Sequence, residues 1–238
     1  MVARFDPAAV RALTFDVFGT LVDWRGSVAE EVRRLDLGVD PESFADEWRG
    51  LYQPSMDRVR SGAREWTKLD VLHRESLDEL VERHGLGDRL DEAARGDLNL
   101  AWHRLHPWSD TASGLARLHR GVVTATLSNG NLSLLIDLTR FGGLEFDAIL
   151  SAELAHAYKP LPAAYLTAVG LLGLEPGQVM MVAAHPDDLR AATSNGLRTG
   201  YVARPHEHGR PGEHIEPSPG TFDIQATSLS ELAGALGI

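Results

Sequence analysis

Four sets of polar side chains fall just past the ends of apolar, strand-like segments. Asp16 closes the first segment, Ser128 and Asn129 close the second, Lys159 follows the third and Asp188 the fourth. Any one of them would suit a turn or a helix cap. All four at the same relative position imply a shared edge, because a parallel sheet gathers the carboxyl ends of its strands there and binds ligands beyond them. A carboxylate buried at such an edge is costly unless paired, and Lys159 is the available partner. Other chemistries are missing. The chain has no cysteine, which excludes a thiolate nucleophile, an iron–sulfur cluster, a disulfide and a cysteine zinc site. No G-x-S-x-G elbow, Walker A loop or H-E-x-x-H occurs.

The elements that must position these residues follow from the hydrophobic pattern. Strands are expected at Ala12 to Phe18, Val122 to Leu127, Ala148 to Leu150, Val179 to Ala184 and Arg198 to Ala203. Helices are expected between them: 111–120 after a possible N-cap at Asp110, 132–141 ending at Gly142-Gly143, 162–172 with proline in its first turn, and 187–195 stopping at Gly196. Ser228 and Glu231 form a capping box that opens a last helix. Alternation of this kind predicts an α/β fold with a Rossmann-like parallel sheet covered by helices on both faces. Residues 24–111 break the alternation and hold all five tryptophans. Segments 43–60, 64–84 and 89–105 have amphipathic helical periods. The expected organisation is a core from 1–23 and 112–238, with a helical cap, 24–111, inserted after the first strand. Residues 204–221, rich in Pro, Gly and His, read as an irregular surface loop.

The 238 residues are 43% apolar and 24% charged, a soluble globular composition. With 23 basic and 34 acidic residues the formal charge is −11. No basic stripe exists to displace counterions, so a nucleic-acid partner is not expected. A carboxylate substrate would be repelled at long range, so its site must supply local positive charge. The longest apolar runs are too short to cross a bilayer. The start lacks the apolar stretch of a secretory signal, so no membrane partner and a cytoplasmic location are expected.

The motifs resemble those of the haloacid dehalogenase superfamily. Asp16-Val17-Phe18-Gly19-Thr20-Leu21-Val22-Asp23 resembles its first motif, Leu127-Ser128-Asn129-Gly130 its second, Tyr158-Lys159-Pro160 its third, and the stretch from Ala183 to Asp188 its fourth. The resemblance covers nearly the whole chain, including an insertion of the expected place and size. Phe18 decides the branch. Phosphatases of the superfamily carry a second aspartate at that position, which protonates the leaving oxygen and helps complete the metal site. Phenylalanine can do neither, and resembles the type II L-2-haloacid dehalogenase branch, which needs no metal. A halide leaves without a general acid. Trp48-Arg49 resembles that branch's Trp-Arg pair, whose arginine grips the substrate carboxylate in bidentate fashion. Tyr165, six residues after Lys159, matches a tyrosine that lines the family's site.

The resemblance implies a mechanism. Asp16 attacks C2 of a short 2-haloalkanoic acid and expels halide. Water then hydrolyses the aspartyl ester to give a 2-hydroxy acid. Lys159 keeps Asp16 ionised and aimed. Thr20, Ser128 and Asn129 hydrogen-bond the reacting carboxylate and the substrate, and Val17, Phe18, Arg49 and Tyr165 contact the substrate. Asp188 holds Lys159 and positions the water. No cofactor or metal is implied, and a homodimer is. Three positions depart from the family pattern: Ala183 replaces a serine, His185 an asparagine, and Asp187 an aromatic. His185 could replace the amide's contact or act as base toward the water, since its ordinary pKa of about 6.5 suits that role.

Rival readings follow from the same residues. Asp187-Asp188 facing Asp16 could bind Mg²⁺ and restore a phosphatase-like site. The same nucleophile could open another activated or strained carbon centre, or the fold could merely bind a small carboxylic acid. His206-Glu207-His208 with His214 could bind a transition metal, but reads first as solvated loop. His103 and His106 suit core or cap roles.

Overall fold

A computed structural model describes residues 5–209 and 216–238; His214 lies outside the described residues. The main sheet has five strands, all parallel, in the order β4 (Val123–Thr126), β1 (Ala12–Phe15), β5 (Val179–Ala183), β6 (Arg198–Val202), β7 (Ile224–Ala226). Alternate residues of each strand feed opposite cores, as a period of two requires. Leu13, Phe15, Met180 and Val182 enter one core with α6 (Thr111–His119), α7 (Leu132–Phe141) and α11 (Leu229–Ala235). Ala12, Val179, Met181 and Ala183 enter the other with α9 (Pro162–Leu171) and α10 (Pro186–Ser194). The expected α/β class with both faces covered is the observed one.

Three sequence expectations need correction. The first strand stops at Phe15, and Asp16 to Leu21 form a turn whose Leu21 N–H donates to the Val17 carbonyl at 2.9 Å. The segment 148–150 makes only an isolated bridge, Ala148 to Ala125, before the short helix α8 (Ala152–Ala155) begins. The expected strand at 198–203 is β6, and the place left by 148–150 in the count of five is taken by β7, which the Pro- and Gly-rich stretch before it concealed. Asp110 precedes α6 but does not cap it, because its carboxylate is taken by Arg204 (2.8 Å) and the Leu229 N–H (2.9 Å).

The inserted helices lie between β2 (Val22–Asp23) and β3 (His106–Pro107), which pair antiparallel and bring the segment's entry and exit together. Asp23 caps α1 (Trp24–Arg34) through Gly26 N–H, an element the periodicity did not reveal. The expected helix 43–60 is two helices, α2 (Pro41–Gly50) and α3 (Tyr52–Arg60), joined at Leu51. Pro54 explains the break: it has no N–H to donate back to Gly50. The helices α4 (Leu69–Arg83) and α5 (Glu92–Asn99) complete the set, followed by a 3₁₀ turn carrying Trp102. Trp24, Trp48 and Trp102 are buried in the same core as β1, so the inserted helices and the sheet share one apolar interior.

Candidate active site

The turn after β1 places Asp16 at the carboxyl edge of the sheet, its N–H donating to Val182 O of β5 at 2.9 Å. Both carboxylate oxygens are occupied. Lys159 Nζ donates to Oδ1 at 2.9 Å, Thr20 Oγ1 to Oδ2 at 2.7 Å, and His185 Nδ1 lies 3.0 Å from Oδ2. Burial alone would raise the Asp16 pKa, but the Lys159 charge, the imidazole and the hydroxyl outweigh it and hold the carboxyl far below the usual range. Thr20 is itself fixed by accepting Ala184 N–H at 2.9 Å.

Lys159 lies between two carboxylates, 2.9 Å from Asp16 and 2.5 Å from Asp188 Oδ2. Burial would lower its pKa, yet the two negative charges raise it above the ordinary lysine value. Asp188 stands in the first turn of α10, and its other oxygen accepts Tyr165 O–H at 2.5 Å. Burial first, then the Asp188 charge, raises the tyrosine pKa, so its phenol remains a donor. Asn129 Oδ1 accepts the Lys159 backbone N–H at 2.8 Å and so orients the lysine from the end of β4.

His185 bridges Asp16 to Glu207, which the sequence offered only as part of a possible metal cluster in a solvated loop. Its Nε2 lies 2.9 and 3.1 Å from the two oxygens of Glu207. With carboxylates at both ring nitrogens, both nitrogens must donate, which requires the imidazolium. Burial opposes that charge, but Glu207 and Asp16 push the pKa up to about 10. Burial likewise opposes the Glu207 charge, yet His185 brings the Glu207 pKa down to about 2. Trp24 Nε1 donates to Glu207 Oε1 at 3.1 Å, and Glu207 is 3% exposed. Glu207 sits in the stretch read as a solvated loop. That reading fails here because the loop folds back under the site. Arg204 anchors the return, donating to Thr20 O at 2.8 Å and pairing with Asp110. Gly19 makes room: its φ is +80°, and a Cβ there would lie 2.0 Å from Glu207 Oε1.

A cavity of about 610 Å³ opens onto this cluster. Asp16, Phe18, Asn129, Lys159, Tyr165, His185 and Asp188 face it from the core side, and Arg49, Tyr52 and Arg60 from α2 and α3. The Arg49 guanidinium lies 4.0 Å over the Tyr52 ring and 5.3 Å over Trp24, and its Nη1 has no hydrogen-bond partner. Arg60 donates to Lys159 O at 2.7 Å and ties α3 to the core. Three candidates do not line the cavity; Thr20 reaches it only through its bond to Asp16. Val17 is fully buried in the core, and the Ser128 hydroxyl accepts Gly130 N–H at 3.1 Å, shaping the turn and making no bond to Asp16.

The carboxylates that the magnesium alternative names make other contacts here. Asp187 points to solvent and pairs with Arg190 at 2.5 Å. The Asp16 and Asp188 oxygens take donors from Lys159, Thr20, His185 and Tyr165, and the cation bridging the two carboxylates is the ammonium. Among the described residues no group of three or more His, Asp or Glu side chains is set to hold a metal ion.

Known proteins match this architecture closely. Residues 10–196 match the family model of the haloacid dehalogenase-like hydrolases. The chain is 31% identical to (S)-2-haloacid dehalogenase 1 of Pseudomonas sp. (strain CBS-3) over 94% of its own length and 95% of that protein's. It superposes on the crystal structure of a defluorinating L-2-haloacid dehalogenase with a TM-score of 0.92, at 44% identity and 96% coverage of both chains. It also superposes on the L-2-haloacid dehalogenase of Xanthobacter autotrophicus with chloropropionic acid covalently bound, with a TM-score of 0.82, at 27% identity over 96% of this chain and 98% of the other. With residues 10–196 matching the family model and a relative 31% identical over nearly the whole chain, the chain belongs to the haloacid dehalogenase-like hydrolase family.

Proposed function

We propose that the protein hydrolyses short 2-haloalkanoic acids to 2-hydroxy acids through an ester on Asp16, without a metal ion. The observation that carries this reading is the pairing across the cavity. An ionised carboxylate held by three donors faces an arginine with an unpartnered N–H, and the residue two places after the carboxylate is Phe18, which cannot act as an acid. Arg49 would take the substrate carboxylate, bringing C2 to Asp16. The carboxylate oxygen attacks C2 from behind, the carbon–halogen bond breaks with its electron pair, and configuration inverts. Lys159 keeps the nucleophile charged and aimed, with Asn129 and Asp188 fixing the lysine. Arg49, Tyr52 and Arg60 wall the cavity from the inserted helices and limit bulk water around the anionic nucleophile.

The second half of the reaction falls to His185. Esterification removes the Asp16 charge, so one of the two anions that keep His185 protonated disappears. The imidazolium then sheds its proton to solvent and, as a neutral base, takes a proton from the water attacking the Asp16 ester carbonyl. Glu207 acts as a positioning residue, holding the ring and stabilising its charged form. One proton and one halide leave per turnover, which balances the hydrolysis. A single turnover in ¹⁸O water followed by mass spectrometry of the protein tests the ester route. Heavy oxygen in Asp16 supports it, and label confined to the product refutes it. Preference for the L enantiomer, a homodimer and a cytoplasmic location belong to the same proposal; chiral product analysis, sedimentation and cell fractionation test them in turn.

A further inference from the structure

Lys159 is fixed at its ammonium by Asp16 and Asp188 and at its backbone N–H by Asn129. Its carbonyl is held as well, this time from the inserted helices. Arg60, the last residue of α3, donates from Nη1 to Lys159 O at 2.7 Å. Among the described residues no backbone N–H donates to that carbonyl, and Lys159 is buried. Without Arg60 a buried acceptor would lose its protein partner, a state that folded proteins avoid. The rest of the guanidinium bonds within α3. Nε and Nη2 donate to Asp57 Oδ1 at 3.0 and 2.5 Å, and Nη2 to Gln53 Oε1 at 2.9 Å. These bonds aim Nη1 at the Lys159 peptide. They also set Arg60 apart from Arg49, which faces the same cavity with its Nη1 unpartnered. Arg49 is free to take a carboxylate; Arg60 is occupied.

The inserted helices grip the segment around Lys159 beyond this one bond. Tyr158 O–H donates to Thr67 O at 2.6 Å, and Trp66 packs on the Tyr158 ring with centroids 4.7 Å apart. The part of the chain that carries Arg49, Tyr52 and Arg60 therefore meets the core at the backbone of the lysine. Small displacements matter there. Lys159 Nζ must stand 2.9 Å from the nucleophile and 2.5 Å from Asp188 at once, and such bonds weaken steeply as their geometry departs from the optimum. We propose that Arg60 is a positioning residue for the reaction, a reading that rests on the dehalogenation proposed above. By holding the Lys159 carbonyl it aims the ammonium at Asp16 and ties that aim to the helices that seat the substrate. Arg60 touches no reacting atom and moves no proton, and its charge is met by Asp57.

The chain has two lysines, Lys68 and Lys159, so protein grown with lysine carrying ¹³C at Cε gives two side-chain NMR signals, which Lys68→Arg tells apart. Lys68 pairs with Glu153 of α8 at 2.6 Å across the same seam and reports any general loosening of the inserted helices. Arg60→Ala should shift the Lys159 signal and leave the Lys68 signal in place. In single turnovers with bromoacetate the maximal rate of halide release should fall about 10–10²-fold, the cost of a reacting group misplaced by up to ~1 Å, with the half-saturating concentration little changed. Arg60→Lys, which keeps a donor for the carbonyl, should recover part of both effects. Asp57→Asn, at an exposed position, should show both in weaker form. An unmoved Lys159 signal in Arg60→Ala would overturn the assignment. So would joint movement of both lysine signals, the mark of a mere fastener, or a raised half-saturating concentration at an intact maximal rate, the mark of a substrate contact. If Arg60→Ala does not fold, an unchanged Lys159 signal and rate in Asp57→Asn overturns it instead. Absence of halide release from the wild type would remove the dehalogenase reading, and the Lys159 signal would still decide whether Arg60 positions the lysine.

Discussion

If His185 is an imidazolium at rest and a base after alkylation, the proton of the overall reaction must leave before the ester is hydrolysed. Stopped-flow mixing of excess enzyme with bromoacetate in weak buffer, with an indicator dye, separates the two events. The size of the signal follows from the site. With a pKa of about 10, roughly 1% of His185 is neutral at pH 8 before reaction, whereas an imidazole at its ordinary 6.5 would be about 97% neutral. Removal of the Asp16 charge moves His185 from the first state toward the second, while Glu207 at 2.9 Å holds it back. The burst at pH 8 should therefore be a substantial fraction of one proton per site. It should grow from pH 7 to 9 and precede ester breakdown. In His185→Asn the burst should vanish and ester hydrolysis should slow by about 10²–10⁴-fold, the usual worth of a general base. Ester that accumulates at every pH with no early proton would refute the switch.

Other outcomes follow from the same geometry. Arg49→Lys should raise KM well above its effect on kcat, because a point charge cannot reproduce a bidentate fork; initial-rate kinetics read this. Asp16→Ala should abolish halide release; Asp16→Asn is the poorer control if its amide deamidates slowly. Lys159→Ala strands two buried carboxylates and should cost about 3–5 kcal/mol in denaturant unfolding. Full activity in EDTA is expected, and loss that Mg²⁺ restores would return the site to phosphatase chemistry. His73 has a folded pKa of about 3 against 6.5 unfolded, so it favours the folded state above pH 6.5 and loses that contribution as pH falls toward 3. His73→Phe should flatten the acid loss of stability by about 1.4 kcal/mol per pH unit in that window.

Much of this site was readable because its residues stand at fixed offsets from strands. Asp16 and Asn129 follow β1 and β4 closely and Asp188 stands in the first turn after β5, so parallel pairing converts those offsets into proximity, while Lys159 arrives on the turn that precedes α9. The turn residues Val17 and Ser128 share the same offset yet face inward or bond locally, since position along the chain does not specify which way a turn side chain points. The inserted helices were legible as helical but not in their breaks, because Pro54 and Leu51 act through backbone bonds that periodicity does not register. The pairing of Glu207 with His185 was unreadable for a different reason. The Glu207 loop carries no hydrophobic pattern, and what holds it is the bond from Arg204 to Thr20 O and the pair with Asp110, contacts between residues far apart in sequence.

The histidine at the fourth motif makes sense only together with two residues outside it. An asparagine at position 185 would be neutral and need no counter-ion. A histidine there is charged against the cost of burial, and Asp16 at one nitrogen shares the task of holding that charge with an anion at the other. Glu207 supplies that anion, and it can do so only because Gly19 has no side chain: a Cβ at 19 would stand 2.0 Å from its oxygen. Gly19, His185 and Glu207 therefore form one electrostatic unit. Gly19→Ala should act like Glu207→Gln, displacing the carboxylate and lowering the His185 pKa. Both variants should keep the alkylation step, which needs Asp16 and Lys159, and should shift the pH dependence of ester hydrolysis together. If Gly19→Ala slowed alkylation and left hydrolysis untouched, the glycine would serve the nucleophile turn alone, and the coupling of these three residues would be wrong.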